Sequence, residues 1–276
     1  MADVPVVTLN SGMTMPQLGF GVFKVALDET ERAVTTAFDV GYRSIDTAAM
    51  YRNEQGVGAA IASSGLPRDE LFITTKLNND SHGYEAAFRA FEQSRSKLGL
   101  DYVDLYLIHW PLPEQNRYVE TWRAMIKLRD DGLIKSIGVS NFHAAHLDRL
   151  LAETGVTPAV NQIELHPYLV QDDLRAYDSK LGIVTEAWSP IARGGDLLAD
   201  RTITSLAEKY RKSPAQVVIR WHVELGNVVI PKSVTPARIR ENFEVFDFEL
   251  DSEDVQAISE LDRGSRTGPN PDRFNP

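Results

Sequence analysis

The chain has 276 residues, of which 43% are hydrophobic and 25% charged, a composition typical of globular proteins that argues against long disordered regions. It contains no cysteine, which excludes disulfides, thiolate nucleophiles and cysteine-bound metals and is compatible with the reducing cytoplasm, where we expect the protein. The net charge of −10 argues against a general nucleic-acid binder, and no apolar run approaches the roughly 18 residues of a membrane span, so neither partner is expected.

Short β-branched or aromatic runs alternate with longer helical patterns along the chain, which is typical of βα units and a parallel sheet. The N-terminal segment has neither a basic flank nor a long apolar core, so we expect no signal peptide. Residues 6–15, with a Ser-Gly turn, predict a small hairpin. Strands are predicted at 17–22, 42–48, 71–77, 103–110, 134–141, 159–165, 183–190 and 228–233. Helices are predicted at 28–40, 53–64, 84–98, 118–131, 143–154, 171–181, 202–211 and 236–246.

Two further helical patterns lie near the C-terminus. Ser213, Pro214 and Gln216 provide an N-cap, a proline at the first helical position and a capping-box partner for a helix over 214–225. Residues 251–262 predict another helix with an acidic start, and a Pro-rich tail over 264–276 follows it.

Eight strands with eight following helices in about 250 residues predict an α/β protein, a (β/α)₈ TIM barrel with an N-terminal β-hairpin and extra helices. Residues 1–276 are then a single domain. The alternative is a doubly wound sheet, which usually carries a Gly-rich phosphate turn after its first strand. No G-x-G-x-x-G occurs here, because Gly19 and Gly21 lack the third glycine.

Polar or aromatic residues stand at the end of most predicted strands, and in a barrel these ends meet at the mouth that carries the active site. They are Asp46, Lys76, His109, Ser140, Asn141, Gln162, Trp188 and Lys232. Each one alone is more often a structural ion pair, a core histidine or a packing residue. Their shared position at one rim favours a functional site.

The first three of these residues come from adjacent strands and suggest proton transfer. Tyr51 follows Asp46 by five residues and can reach back toward Lys76. The ammonium would stabilise the phenolate and lower the tyrosine pKa, while Asp46 would hold the lysine in its charged form. Neutral His109 could donate a hydrogen bond to a carbonyl oxygen. The site could thus protonate a carbonyl, but the reaction still needs a hydride.

The last barrel unit predicts an anion site. Lys232 and Ser233 leave the strand, and Thr235 precedes a helix whose first turn presents free N–H groups and contains Arg238. A strand-to-helix turn with two solvated cations is the alternative. Trp188 could stack a flat ring, and amide side chains at the neighbouring strand ends could bind a carboxamide, so the rim could accommodate a nicotinamide.

Seven stretches of this sequence resemble the motifs of the aldo-keto reductase family, in the right order from about residue 5 to 262, and are most similar to its bacterial 2,5-diketo-D-gluconate reductase group. These stretches are GFGVFK, DTAAMYRNE, TTKL, LYLIHWP, IGVSNF, NQIELHP and IPKSVTPARIREN. The resemblance implies a metal-free, monomeric oxidoreductase on a (β/α)₈ barrel that reduces aldehydes and ketones with NADPH.

The resemblance also implies roles for individual residues. Tyr51 is the general acid, Lys76 lowers its pKa, Asp46 pairs with Lys76, and His109 orients the carbonyl. The implied cofactor contacts are Ser140, Asn141, Gln162 and Trp188 at the nicotinamide, Ser189, Pro190 and Ile191 at the pyrophosphate, and Ile230, Lys232, Ser233, Val234, Thr235, Arg238, Glu241 and Asn242 around the 2′-phosphate and adenine. The positive charges of Lys232 and Arg238 favour NADPH over NADH, because only NADPH carries the negatively charged 2′-phosphate.

The sequence departs from the family pattern in the substrate pocket. Asn78 stands where the family often has tryptophan, whereas Phe23 and Trp110 remain as pocket residues. The pocket is therefore expected to be wider or more polar, and the short tail after residue 262 is expected to alter specificity further.

Two other functions stay open at this point. Lys76 could form a Schiff base as an aldolase lysine does, although a partnering aspartate opposes the uncharged amine that this requires. A non-catalytic NADPH-binding barrel is the other, since a fold does not determine function.

Three histidines lie outside this set of candidate residues. His143 and His146 have a spacing that allows a metal pair, but we expect them to lie on a solvated helix face. We expect His166 to be structural.

Overall fold

The computed structural model describes residues 4–276, so the first three residues of the predicted domain lie outside the described range. A two-stranded antiparallel hairpin, β1 (Val6–Thr8) and β2 (Thr14–Pro16), is followed by one parallel eight-stranded sheet in sequential order. Its strands are β3 (Phe20–Gly21), β4 (Ser44–Asp46), β5 (Phe72–Leu77), β6 (Val103–Ile108), β7 (Ile134–Ser140), β8 (Val160–Glu164), β9 (Val184–Trp188) and β10 (Val228–Val229).

The sheet closes on itself between its first and last strands. Leu18 forms a parallel bridge with Val229, and the amide of Gly19 donates to the Val229 carbonyl at 2.9 Å. Closure gives the predicted (β/α)₈ barrel and leaves its eight strands no open edge. The C-terminal ends of all eight strands therefore point to one mouth, as the position of the predicted site requires.

Helices follow the strands and cover the outside of the barrel. They are α1 (Leu27–Val40), α2 (Glu54–Ser63), α3 (Tyr84–Leu98), α4 (Tyr118–Asp130), α5 (Ala144–Thr154), α6 (Asp172–Lys180), α7 (Arg201–Tyr210), α8 (Pro214–Glu224), α9 (Pro236–Phe243) and α10 (Ser252–Ser259). The extra helix α8 begins as predicted, with the Ser213 and Gln216 side chains each bonding the other's backbone N–H. No helix within residues 4–276 is both long enough and apolar enough to cross a membrane.

Several strands are shorter than predicted, and the last one shows why. The predicted strand 228–233 is a two-residue strand because Pro231 has no N–H to continue the ladder. The chain after it leaves the sheet, which places Lys232 on the surface.

The hairpin covers the end of the barrel opposite the mouth. Leu9 and Met15 are buried there against Leu105 and Leu107 of β6. The Ser11 hydroxyl lies 2.6 Å from that of Ser136 on β7. This end is therefore closed by apolar packing, and the polar chemistry is concentrated at the other.

The tail crosses the C-terminal mouth. The amide of Gly268 donates to Glu164 at the end of β8, and the ring of Phe274 lies 4.4 Å from that of Trp110, centroid to centroid. The carboxylate of Asp272 accepts from the His143 ring at 2.8 Å. Three contacts spread over the tail thus hold it across the opening.

Candidate active site

Lys76 forms the centre of the polar cluster in the barrel mouth. Its ammonium group lies 2.6 and 2.8 Å from the two carboxylate oxygens of Asp46 and 3.0 Å from the Thr47 carbonyl. The side chain is fully buried, and burial alone would lower the pKa of Lys76. Asp46, with smaller contributions from Tyr51 and Glu186, outweighs that effect and raises the pKa of Lys76, so the lysine stays charged at neutral pH.

Tyr51 stands over this ion pair. It ends a short 3₁₀ turn after β4, Ala49–Tyr51, and its hydroxyl lies 3.4 Å from the Lys76 ammonium. Burial raises the pKa of Tyr51, and Asp46 adds to the increase, whereas Lys76 lowers it. The net direction is upward, so the lysine acts in the predicted direction but does not overcome burial. The phenol therefore keeps its proton at neutral pH.

His109 directly follows β6 and completes the group. Its ring lies 5.7 Å from the Tyr51 ring, edge to face. Burial and the neighbouring Lys76 charge hold the pKa of His109 well below its usual range, so the imidazole is neutral. Its Nδ1 is buried without a hydrogen-bond partner within residues 4–276, which leaves Nε2 as the nitrogen able to face a ligand. The four predicted catalytic residues thus converge.

The predicted carboxamide residues form a hydrogen-bonded layer beside this group. Asn141 donates to the His109 carbonyl at 2.9 Å and to the Ser140 hydroxyl at 3.1 Å, and it accepts from the Trp188 indole at 2.8 Å. Its backbone has φ 63°, a left-handed conformation that asparagine tolerates better than most residues. The tight turn this allows after β7 directs the side chain back across the mouth.

Gln162 lies deeper in the same layer. Its amide nitrogen donates to Asp46 Oδ2 and to Glu186 Oε2, both at 2.8 Å. The backbone carbonyl of Gln162 accepts from the Ser140 hydroxyl at 2.8 Å. The carboxamide layer is therefore connected directly to the ion pair.

The predicted phosphate end lies where β10 leads into α9. Lys232 and Arg238 are exposed, and neither pairs with a carboxylate within residues 4–276. The Ser233 hydroxyl accepts from the Thr235 backbone N–H at 3.1 Å. The other residues predicted around it are partly buried (Val234, Glu241) or buried (Ile230, Asn242). Two unpaired cations at a helix N-terminus form a surface suited to a phosphate group.

The Ser189–Ile191 segment leaves the end of β9 through a sharp turn. Ser189 has φ 50°, and the Pro190 carbonyl accepts a hydrogen bond from His222 of α8 at 3.1 Å. Burial lowers the pKa of His222 to about 3, so the ring is neutral. The predicted pyrophosphate turn is thus anchored to α8.

Aromatic side chains line the outer part of the mouth. Phe23 is 44% exposed, and its ring lies 5.0 Å from that of Tyr51. Trp110 is buried against Phe274 of the tail, and Asn78 is partly buried. Phe274 was not predicted as a pocket residue, although it is the single aromatic residue of the tail.

The expectation of a solvated face at His143 and His146 was wrong. His146 is buried, and its Nδ1 accepts from the His143 backbone N–H at the start of α5. Asp272 of the tail lies beside both rings, a contact that the sequence did not indicate. No group of three or more histidine, cysteine or acidic residues within residues 4–276 is arranged to hold a metal ion. His166 is buried against Glu164, as expected of a structural residue.

Two acidic residues near the site were missed. Glu186 lies inside β9, and Glu164 ends β8 under the tail; both are buried. Both could have been found from the sequence as acidic residues within predicted buried strands, because a buried acid needs a polar partner.

Comparison with known proteins identifies the class of this barrel. The model of the Aldo/keto reductase family matches residues 17–263. The chain belongs to the aldo/keto reductase family.

Individual relatives are similar over nearly their whole length. The chain is 57% identical to methylglyoxal reductase DkgA of Yersinia pestis over 276 residues, covering 99% of both proteins. It is 57% identical to an aldo-keto reductase of Mycolicibacterium smegmatis, covering 98% of both. A mutant of Gox0644 crystallised in complex with NADPH has a TM-score of 0.95 and 48% identity over 99% of this chain and 100% of that chain. A Bombyx mori aldo-keto reductase in complex with NADP has a TM-score of 0.92 and 40% identity, over 99% of this chain and 97% of that chain.

Proposed function

We propose that this protein reduces aldehydes and ketones to alcohols with NADPH, with Tyr51 as the proton donor. The observation that carries the proposal is the contact between the buried Lys76 ammonium and the Tyr51 hydroxyl, 3.4 Å apart. A tyrosine is a weak acid at neutral pH, and a fixed cation beside it stabilises the phenolate left after proton transfer.

Each residue of the cluster has a distinct task in this reaction. His109 donates from Nε2 to the carbonyl oxygen and places it next to the Tyr51 hydroxyl. NADPH supplies the hydride to the carbonyl carbon. Tyr51 gives its proton to the oxygen, Lys76 stabilises the phenolate, and Asp46 keeps Lys76 charged and in place. Solvent then returns a proton to Tyr51.

The residues present fit NADPH at both ends. No protein donor within residues 4–276 reaches Gln162 Oε1, so this oxygen is free to accept from a carboxamide N–H. Trp188 offers a partly exposed ring for stacking. At the other end, Lys232 and Arg238 have no carboxylate partner and suit a 2′-phosphate. Relatives that are structurally similar bind NADPH or NADP, which supports the same cofactor here.

For the substrate we propose small dicarbonyls, with keto sugars as the second class. Close relatives are named methylglyoxal reductases. Asn78 supports the assignment because it directly follows β5 at the mouth and is partly buried, and its amide is a polar group suited to bonding a second carbonyl oxygen. A kinetic panel of dicarbonyls, keto-sugar acids and aromatic aldehydes tests it, and the highest kcat/KM on aromatic aldehydes would contradict it.

The Schiff-base alternative is disfavoured by the surroundings of Lys76. Its ammonium has four oxygens within 3.4 Å, and its pKa is raised, whereas nucleophilic attack requires the free amine. Borohydride treatment with a carbonyl substrate would trap a lysine adduct only if the alternative were correct. The non-catalytic alternative predicts tight NADPH binding without turnover on any carbonyl of the panel.

Substitution of Tyr51 by Phe tests the proton donor. We expect kcat for carbonyl reduction to fall by about 10²–10⁴-fold, the range of general acid catalysis. NADPH binding, measured by fluorescence titration, should stay within about twofold, since the hydroxyl is assigned to the substrate. Unchanged carbonyl reduction would remove Tyr51 from the mechanism.

The monomeric state and the cytoplasmic location stay predictions. Light scattering on a sizing column checks the first, and cell fractionation checks the second.

A further inference from the structure

Glu186 lies in the middle of β9 and has no part in the proposed proton and hydride transfer. Its exposure is 0%, and it is in register with Gln162 on β8 and Val228 on β10. A carboxyl group this deep in a barrel is costly unless it is neutral or has polar partners. Its one hydrogen-bond partner within residues 4–276 is the side chain of Gln162.

The contact with Glu186 and a second contact with Asp46 together fix which way the Gln162 amide faces. A primary amide has two N–H bonds, and here one is directed at Glu186 Oε2 and the other at Asp46 Oδ2, each at 2.8 Å. The reverse orientation would place the amide oxygen against the Asp46 carboxylate, which is paired with Lys76 and has no proton to donate. With both N–H bonds committed, Oε1 of Gln162 points away from the acids and is left for a ligand.

The charge of Glu186 is coupled to the catalytic ion pair. Burial raises the pKa of Glu186 to about 8, and Asp46 adds to this, whereas Gln162 and Lys76 act against it. The side chain is therefore protonated at neutral pH. Its second oxygen, Oε1, has no partner within residues 4–276, which costs less in a neutral acid than in a carboxylate. The titratable groups facing this pocket are Asp46, Lys76 and Tyr51.

We propose that Glu186 is a positioning residue that holds the Gln162 amide with its oxygen toward the nicotinamide carboxamide and links it to the Asp46–Lys76 pair. This rests on the proposed function, since a nicotinamide is what the amide would receive. Glu186 itself touches neither the substrate nor the Tyr51 hydroxyl. Its negative charge, once formed at alkaline pH, raises the pKa of Tyr51.

Two variants separate the hydrogen bond from the charge. Glu186→Met has a similar volume but no acceptor for Gln162, whereas Glu186→Gln keeps an acceptor oxygen and cannot ionise. Asp178→Asn is the matched control, because Asp178 is also a buried acid that accepts from an amide side chain, Asn161, and lies outside the site.

The first measurement is NADP⁺ binding by fluorescence titration, which involves no turnover. We expect Glu186→Met to weaken binding about tenfold, the scale of one hydrogen bond that is no longer oriented. Glu186→Gln and the Asp178→Asn control should stay within about twofold of the unmodified protein. Unchanged binding in Glu186→Met overturns the positioning role.

The second measurement is the pH profile of kcat/KM for carbonyl reduction. Reduction needs the Tyr51 phenol, so activity falls at high pH as Tyr51 ionises. Without the Glu186 charge the pKa of Tyr51 is lower, so the alkaline limb of Glu186→Gln should move to lower pH. The control should leave the limb in place.

If Glu186→Met does not fold, the alkaline limb of Glu186→Gln still tests the role of Glu186. A Glu186→Gln limb that coincides with that of the unmodified protein overturns the link to the ion pair, since a purely structural residue would scale the rate without moving the limb. Failure of the unmodified protein to bind NADP⁺ would instead refute the proposed function, and the positioning role with it.

Discussion

Of the groups that hold the tail over the mouth, the buried carboxylate of Glu164 accepts the most hydrogen bonds from the tail, and replacing it tests how firmly the mouth is closed. Glu164 is 1% exposed and accepts from the Thr267 hydroxyl at 2.7 Å and from the Gly268 backbone N–H at 3.1 Å, as well as from the Thr267 backbone N–H. Gly268 also fits closely, because a Cβ there would stand 2.5 Å from the Trp188 ring. The substitution Glu164→Gln keeps the shape and removes the charge.

The expected loss follows from these contacts. Burial tends to raise the pKa of Glu164, but the hydrogen bonds from His166, Thr267 and Gly268 outweigh it, and the pKa is lowered. The carboxylate is therefore ionised at neutral pH, and its contribution to stability is present above its unfolded pKa and lost only as the pH falls through the lowered value. Glutamine weakens the contacts with the tail, because its N–H₂ group faces a donor of Thr267 or Gly268 where the carboxylate oxygen accepted. We expect the closed position of the tail to lose about 2 kcal/mol of stabilisation. That corresponds to about a 30-fold increase in the fraction of molecules with an open tail.

Limited trypsin digestion of the native protein measures this fraction. Arg266 and Arg273 lie in the tail, and cleavage after them tracks the open population when opening is fast relative to cutting. We expect tail cleavage about 30-fold faster in Glu164→Gln, together with a higher KM for the carbonyl, since Phe274 would leave Trp110. Glu120→Gln is the control, because Glu120 is an exposed carboxylate that caps Tyr84 and does not contact the tail. Equal cleavage rates in the two variants would refute the anchoring role of Glu164.

Two further predictions concern the cofactor and the pH dependence of stability. Arg238→Ala should raise the KM for NADPH by about 10-fold or more and that for NADH by less than about twofold, because only NADPH has the 2′-phosphate; Arg240→Ala, two residues further along α9, is the control, and equal effects on both cofactors would contradict the phosphate assignment. Burial raises the pKa of Asp178 to about 7, while Asn161 and Thr185 act against it, so the native state holds a proton that the unfolded state releases. The contribution of Asp178 to the free energy of unfolding should therefore fall by about 4 kcal/mol as the pH rises from about 4 to 7. In urea titrations the stability of the unmodified protein relative to Asp178→Asn should fall over this range, and a difference that is independent of pH would contradict the assignment.

The order of the barrel could be predicted from the sequence because periodicity and turn residues are local. Alternating strand and helix patterns led to the eight-stranded barrel, and strand ends identified the rim that carries Lys76 and Tyr51. Strand length was less predictable, since ladder bonds depend on a partner strand and on residues such as Pro231 that interrupt it.

Features that depend on contacts distant along the chain were missed. The path of the tail has no periodic pattern, so the pairing of Glu164 with Thr267, 103 residues away, could not be found from spacing. The buried state of His146 was missed for the same reason, because its ring packs against Tyr118, 28 residues earlier, and lies beside Asp272 of the tail. Glu186 was overlooked because only the ends of the strands were searched for polar residues.

Three acids interrupt the apolar strands around the mouth, and their partners assign them different tasks. Asp46 has an ammonium group bound to both of its oxygens, and Glu164 has three N–H or O–H donors from the tail in addition to His166. Glu186 has one neutral amide donor and a neighbouring negative charge. A buried carboxyl group ionises only where donors or cations replace the water it has lost. The number of donors and cations therefore makes Asp46 the counterion of Lys76 and Glu164 the anchor of the tail. Glu186 is left as a neutral acid at neutral pH, and its ionisation would raise the pKa of Tyr51 in the same cluster.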